Sequence, residues 1–413
     1  MIAQESKAVV VQKFGGTSIA TPELIRSVAR RVVEEKKAGK DVIVVVSAMG
    51  DTTDQLITLA KTVTSNPPKR ELDMLLTAGE RISMALLSMA ISDLGYEAIS
   101  FTGSQSGIVT DTSHTRAKIL DVRAHRVREE LERGRIVIVA GFQGVSSAKE
   151  VTTLGRGGSD TTCVVLAAAF SAKECHIFKD VDGVFTADPR IVPWARKIDR
   201  ISYDEMQELA FCGAGVLHWR SVDVARRFGV KVHVRSSLGK EMGTIVTGKE
   251  EIEAAEIRAI TQDSNLVRIR SGPSDRTGEI AGRLLEVLER DGVDVRFFHL
   301  SSAPRGGGTV SIMIPLEEKD AAIRAVASAL PGDAFGVDVD IATISIVGQG
   351  LSGIPGIARK ALASLLSIGI DPEIISTSGI SLTIALAKDR VTEAVRKLHG
   401  DLGLGLPTRG EAP

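Results

Sequence analysis

At 413 residues the chain is too long for one compact core, and 43% hydrophobic content supplies enough apolar surface for two or three domains. Lys and Arg total 51 against 52 acidic residues and only 4% of residues are aromatic, so the basic footprint and stacking surface of a nucleic-acid binder are lacking, as is a polybasic membrane contact. The start of the chain has no cationic leader followed by an apolar stretch, no uninterrupted apolar run approaches membrane length, and a cytoplasmic setting is expected. Cys163, Cys175 and Cys212 are widely spaced and the seven histidines are scattered, which supports neither a disulfide framework nor a zinc site; the cysteines are expected to be buried apolar residues.

Residues 8–12 form a β-branched apolar run that breaks into Lys13-Phe14-Gly15-Gly16-Thr17-Ser18, and Thr21-Pro22-Glu23 then opens a helical pattern over 24–37. Residues 41–46 are a second apolar strand, ending in Ser47-Ala48-Met49-Gly50-Asp51-Thr52-Thr53-Asp54. The alternation continues through strands at 97–101, 136–140 and 174–178, with helices between them. Strands apolar on both faces and separated by helices predict an α/β fold, a mostly parallel sheet covered on both sides as a three-layer αβα sandwich. Ligands collect at the strand C-terminal ends of such sheets, so the turns at 13–18, 47–54 and 152–162 are expected to face one crevice.

The stretch Thr152-Thr153-Leu154-Gly155-Arg156-Gly157-Gly158-Ser159-Asp160-Thr161-Thr162 concentrates backbone amides, a cation and a carboxylate where a buried strand is expected to pass into a helix. Bare amides at a helix start attract anions, Gly155, Gly157 and Gly158 permit positive φ and close approach, and Arg156 offers a planar fork for a carboxylate. Asp160 could bind an ammonium group or orient a lysine. Lys13 stands at a strand end beside Gly15 and Gly16, with Thr17 and Ser18 as hydroxyl donors, an arrangement suited to phosphate although the Walker spacing is absent. Glu80 could take an ammonium group. Each element also has an ordinary reading: a loop capped by Ser159, a solvated lysine, a helix N-terminal acid favoured by the dipole. The 178–190 stretch is turn-rich and charged, and lacks the terminal glutamate of a calcium loop.

Composition shifts at 239–256, a charged connector, and beyond it a pattern repeats after nearly eighty residues. Gly278, Ile280, Leu284, Leu285 and Leu288, closed by Gly292-Val293-Asp294, are echoed by Gly356, Ala358, Leu362, Leu365 and Leu366, closed by Gly369-Ile370-Asp371. Strands at 266–270 and 309–314 flank the first copy and strands at 343–347 and 381–385 the second, giving two strand-helix-strand-strand modules whose edges are expected to pair with a neighbouring chain.

The ordered segments 13–18, 47–54, 77–81, 141–144, 153–162, 180–190 and 220–222 resemble the aspartate kinases of the amino-acid-kinase superfamily, with two C-terminal ACT modules, and the resemblance spans essentially the whole chain. It implies an amino-acid-kinase domain at 1–248, a linker and first α+β ferredoxin-like ACT module at 249–340, and a second module at 341–413. The implied activity is transfer of the γ-phosphoryl of ATP to the side chain of L-aspartate with Mg2+, in a homodimer or an α2β2 assembly formed through the ACT modules. By resemblance Lys13 steadies the phosphoryl group, Glu80 and Arg156 hold the two ends of aspartate, and Ser47, Thr53, Ser159 and Asp160 complete that pocket. The nucleotide falls to Gly15, Gly16, Thr17, Ser18, Lys179, Asp180, Phe185, Arg190, Gly215 and Val216, with no protein metal cage. The alternatives are an acyl-phosphate kinase for another amino-acid carboxylate and a catalytically weak amino-acid sensor.

The chain also departs from the family pattern. Gly-Ser/Ala-Lys-Val-Leu is here Gly213-Ala214-Gly215-Val216-Leu217, which removes a phosphate-directed cation, and Lys179 stands where Ser or Thr is usual. Lys179 either restores part of that charge or faces solvent. In the effector region, near Asp275, the usual Gln-Asn pair is Phe298-His299, the Thr-Thr-Asp turn is Gly307-Gly308-Thr309, and Ser-Thr-Ser-Glu is Ser376-Thr377-Ser378-Gly379. An effector's ammonium and carboxylate would lose partners there, so weak feedback by lysine and threonine is expected.

Overall fold

The structure, a computed structural model, describes residues 7–239, 241–248, 256–301, 307–330 and 335–405. Residues 240 and 249–255, in the expected charged connector, lie outside the described set. The chain divides into two units, the first built from 7–185, 196–211 and 215–248 and the second from 186–195, 212–214 and the chain beyond 255.

The first unit is organised by an eight-stranded sheet: β1 (Val9–Phe14), β2 (Asp41–Val46), β3 (Ala98–Phe101), β4 (Ile136–Ala140), β5 (Glu174–Lys179), β6 (Arg200–Ser202), β7 (Lys231–Ser236) and β8 (Thr244–Thr247). Its order is β6-β8-β7-β5-β1-β2-β4-β3, parallel from β7 through β3, with β8 antiparallel to β7. Val42 to Val46 and Ile136 to Ala140 are 0% exposed, which explains why these strands read as unbroken apolar runs. Phe14 is level with Val46 and Phe178, Val46 with Ala140, and Lys179 with Ser236, so five strands finish at one edge.

Strand alternation sorts the residues of that edge between two faces. Val10 and Phe14 join a core with Phe178, Ile25, Val28, Val32, Met84 and Leu87, under the helices Pro22–Lys37 and Lys69–Asp93. Thr21 caps the first of these, its Oγ1 accepting from Leu24 N at 3.3 Å, with Pro22 at its first position. Lys69–Asp93 is apolar and long enough to cross a membrane by composition, yet it buries Asp73, Thr77, Glu80 and Ser83 along with Leu87 and Ile91 and serves as a core helix. Lys13 and Lys179 fall on the opposite face, where the Gly158–Ala169 helix packs against β1 and β5.

That helix does not follow a strand of the main sheet, as the 152–162 turn had suggested. A second sheet of Ile108–Thr110, Ile119–Val122, Gln143–Ser146 and Val151–Thr153 intervenes, because 143–153 folds back as a hairpin. The turn enters from Val151–Thr153 and still reaches the sheet edge, since Gly141 N, just past β4, bonds Val46 O at 2.9 Å and Leu154 N bonds Phe142 O at 2.8 Å. All three cysteines are buried and outside any disulfide.

The second unit holds two antiparallel sheets of four strands. Leu266–Ser271 and Thr309–Pro315 lie at the centre of one, between Phe335–Asp338 and Phe297–Ser301, with Ile280, Leu284, Leu288, Ala322 and Val326 of two helices packed on Val267, Ile269, Val310 and Ile312. The other runs Glu256–Asp263, Ile341–Gln349, Ser381–Ala387, Ile374–Thr377. Both match the repeat in the sequence, but Glu256–Asp263, placed with the first module by chain order, completes the sheet of the second. Alternation identifies a strand without naming its partner.

Ile260 N donates to Thr186 O at 2.8 Å, so the neighbouring Thr261, paired with Ser345, directs its amide toward Ile341–Gln349. Thr261→Pro deletes that ladder bond. Hydrogen exchange is expected to accelerate by about tenfold at 341–349 and 381–387 and to stay unchanged at 266–271 and 309–315.

Candidate active site

The site is assembled from three turns at the level edge of the sheet, after β1, after β2 and before the Gly158–Ala169 helix. After β1 the chain enters a 3-10 turn at Gly16–Ile19, and Gly50 N donates to Gly16 O at 3.1 Å. A Cβ at Gly16 would lie 2.7 Å from Ala48 O, so only glycine lets the turns after β1 and β2 touch. At the helix start Gly157 has φ +67° and a Cβ there would collide with His218. The first helical turn therefore begins at Gly158 with Gly157 as a left-handed cap, not with Ser159 as a side-chain cap.

Asp160, on the first turn of that helix, is 2% exposed. Its Oδ1 lies 2.8 Å from Lys13 Nζ and its Oδ2 2.9 Å from Lys179 Nζ. Burial opposes the charge on Asp160, but the two ammonium groups prevail and hold its carboxyl well below the ordinary range. For Lys13 burial is the larger influence, with Lys179 adding repulsion, and its affinity for a proton falls below that of a free lysine despite Asp160. The carboxylate is thus a hinge for two lysines, and Lys179 is not the solvent-facing group that was the alternative.

Glu80 lies in the interior of the Lys69–Asp93 helix, which removes its reading as a helix N-terminal acid. It is 3% exposed, its Oε1 accepts from Ala48 N at 3.2 Å, and its Oε2 is buried without a hydrogen-bond partner. Burial raises its pKa to about 7. Ser47 follows β2 and its carbonyl accepts from Ser83 Oγ at 2.6 Å; Thr53 opens the next helix and is half-buried. Ser159 is buried against Gly141, where a Cβ would lie 2.7 Å from Ser159 Oγ.

The remaining predicted residues are less uniformly gathered. Gly15 N is engaged by Phe178 O at 3.4 Å and is no bare amide, while Ser18 Oγ is buried without a partner and Thr17 is exposed. Arg156 lies exposed in the turn before Asp160, and Asp180 is exposed just past β5. Phe185 is half-buried in a two-residue strand against Lys197, Val216 is half-buried, and Gly215 is exposed with nothing within 4 Å of a Cβ. Arg190 ion-pairs with Asp188 at 2.8 Å, in the 186–195 segment of the second unit. Of the effector positions, Phe298, His299, Ser376 and Asp275 are exposed, Thr309 begins its strand half-buried, and Ser378 Oγ is turned into its own loop, 2.9 Å from Ser381 Oγ.

Two supporting residues were not anticipated. Asp73, 0% exposed, accepts from Thr153 Oγ1 at 2.6 Å and Thr115 N at 3.1 Å and bonds His114 Nδ1 at 2.7 Å. Arg220, in the 220–222 segment, donates to Leu154 O at 2.6 Å and Ala117 O at 2.9 Å. Together they fix the end of the strand from which the chain enters the glycine turn, at Thr153 and Leu154. The signal for Asp73 was available, since polar residues at 73, 77 and 80 recur at helical spacing among Leu76, Met84 and Leu87.

Two lysine ammonium groups and a helix N-terminus thus meet at the strand ends, and Glu80, bonded to Ala48 N in the turn after β2, keeps one buried carboxylate oxygen unpaired. Residues 8–236 match the amino acid kinase family and 344–402 match an ACT domain, so the class is that of an amino acid kinase. Aspartokinase from Mycolicibacterium smegmatis is 46% identical over 407 residues, 96% of this chain and 97% of the relative, and that from Corynebacterium glutamicum is 45% identical over the same shares. The E. coli aspartokinase III complex with aspartate and ADP shares the fold, with TM-score 0.82 at 23% identity over 96% of this chain and 100% of that one. Aspartate kinase from Synechocystis, 34% identical, gives 0.55 over 98% of this chain and 71% of that one. The chain belongs to the aspartokinase family.

The raised pKa of Glu80 has a thermodynamic sign. The folded protein retains a proton that the unfolded chain releases between pH 4.5 and about 7, so this group's stabilisation is full below that window and lost as pH rises through it. Glu80→Gln keeps an acceptor for Ala48 N and cannot ionise. In the ligand-free protein it is expected to match wild type at low pH and exceed it by about 2 to 3 kcal/mol well above neutrality, measured by denaturant unfolding.

Proposed function

We propose that this site transfers the γ-phosphoryl group of ATP to the side-chain carboxylate of L-aspartate, giving 4-phospho-L-aspartate and ADP. The observation that carries the assignment is the buried Asp160 carboxylate holding Lys13 and Lys179 at the strand edge, with a second buried acid, Glu80, bonded to Ala48 N in the turn after β2 and keeping Oε2 unpaired. In this reading Glu80 accepts the substrate ammonium, Arg156 the α-carboxylate, and Ser47, Thr53 and Ser159 complete the pocket. A cationic substrate favours the ionised form of Glu80, which binding would charge.

The acceptor carboxyl, with an ordinary pKa of about 3.9, is already ionised at neutral pH and needs no general base. One of its oxygens attacks the γ-phosphorus, the bond to the β,γ-bridging oxygen breaks, and the electron pair leaves with ADP; no proton moves. The barrier is repulsion between two anions, and Lys13 with the amides of the 158–169 helix start lowers it by standing where charge builds up. The glycine turn leaves room for the donor, since a Cβ at Gly15 would stand 3.6 Å from Lys13 Nζ. Magnesium, where bound with the nucleotide, would supply positive charge that offsets the phosphate charge.

Hydroxamate trapping with ATP, magnesium and a panel of carboxylates is expected to give product with L-aspartate. Product only with another amino-acid carboxylate would move the substrate assignment, and binding without product would make the chain a sensor. Lys13→Met should lower kcat by about a thousandfold. Arg156→Ala should raise KM for aspartate by about tenfold to a hundredfold with a smaller effect on KM for ATP.

The modules support weak feedback, because Phe298 and His299 lie exposed on an edge strand and Ser378 is consumed within its turn. Lysine and threonine, singly or together, are expected to change the rate by less than about twofold in the same assay. The exposed edges Phe297–Ser301 and Ile374–Thr377 support pairing with a second copy, to be read by sedimentation. A cytoplasmic setting accords with these substrates.

A further inference from the structure

One cation is enough to neutralise Asp160, and this site has two. Lys13 and Asp160 are 4% and 2% exposed, and a lone ion pair between them would satisfy the usual requirement that a buried charge be matched. Lys179 adds a second ammonium 2.9 Å from the other oxygen of the same carboxylate, leaving the trio at a net charge of plus one. A surplus positive charge beside a buried lysine is unfavourable unless an anion is to be received.

Register shows where that charge is directed. Lys13 is level with Ile177 across parallel strands, so Lys179 lies one pleat further toward the strand end, on the same face. Lys13's side chain is 5% exposed and Lys179's 18%, so Lys179 is the more open of the two toward the mouth of the site. The opposite face at this level is closed by the stacked rings of Phe14 and Phe178, with centroids 4.7 Å apart.

We propose that Lys179 is a second phosphate-facing cation of this enzyme, which with Lys13 flanks the transferring phosphoryl group while Asp160 sets the spacing between the two ammonium groups. The inference rests on the kinase reading above and adds a residue to it. It assigns Lys179 to the polyphosphate of the nucleotide rather than to the amino acid, because Glu80 and Arg156 already supply partners for the acceptor's own charges.

The test compares Lys179→Met, Lys179→Thr and Lys179→Arg in the full chain. Lys179→Met and Lys179→Thr should each raise KM for MgATP and lower kcat by about tenfold or more with KM for aspartate unchanged, and Lys179→Arg should recover most of the loss. Unchanged nucleotide kinetics in Lys179→Met would overturn the proposal. So would recovery by the neutral Lys179→Thr, or an equal loss in all three accompanied by a lower melting temperature, since either would mark a purely structural ion pair. Calorimetric titration with MgADP separates this inference from the reading it rests on. If wild type gives no aspartyl hydroxamate, the substrate assignment fails, whereas weaker MgADP binding in Lys179→Met still supports the cation and equal binding refutes it.

Discussion

A single buried carboxylate determines how this site can work. Asp160 is almost fully enclosed, and a lone charge in that position would cost several kcal/mol in lost hydration. It is tolerated because Lys13 and Lys179 each meet one of its oxygens, and those lysines are held at the strand ends by the same contact. Helix start, β1 and β5 are thereby joined by charge at the ends of the parallel strands. In the proposed reaction this arrangement would hold the two ammonium groups in place beforehand, sparing the cost of reorganising them.

Such convergence depends on backbone segments coming closer than side chains allow. Gly16 lets the turn after β1 lie on the turn after β2, Gly141 lets β4 end against Ser159, and Gly157 takes a left-handed cap where His218 leaves no room for a Cβ. These glycines are packing residues first, and their effect on chemistry follows from the distances they permit. Asp73 and Arg220 play the complementary part, binding the backbone and hydroxyl groups around 115–117 and 153–154 so that the entry to the turn is tied to the neighbouring 115–117 segment.

The Lys69–Asp93 helix shows how a polar function can be kept inside a core. Its buried face combines Leu76, Met84, Leu87 and Ile91 with a stripe of polar groups at 73, 77, 80 and 83. Asp73 is satisfied by several donors, whereas Glu80 keeps one oxygen unpaired and has its pKa raised by burial to about 7. A fully satisfied acid rigidifies its surroundings; a half-satisfied one is poised to accept a partner.

Periodicity and turn chemistry in the sequence determined the strands, the capped first helix, the internal repeat and the glycine turns, because burial on both faces and backbone freedom leave direct marks on residue type. The family resemblance was legible for the same reason, through short ordered motifs in which Lys13, Glu80, Arg156 and Asp160 stand. What only the tertiary structure decided was partnership across distance. No local pattern says that Glu256–Asp263 pairs with Ile341–Gln349, that the hairpin at 143–153 intervenes before the glycine turn, or that Glu80 lies mid-helix with a bare oxygen. The role of Lys179 is the sharpest case: from sequence it was as compatible with solvent as with the site, and parallel register together with the approach of a helix start brought it to Asp160. Pairing energies of this kind arise between residues far apart in the chain, and the fold is what brings them within reach.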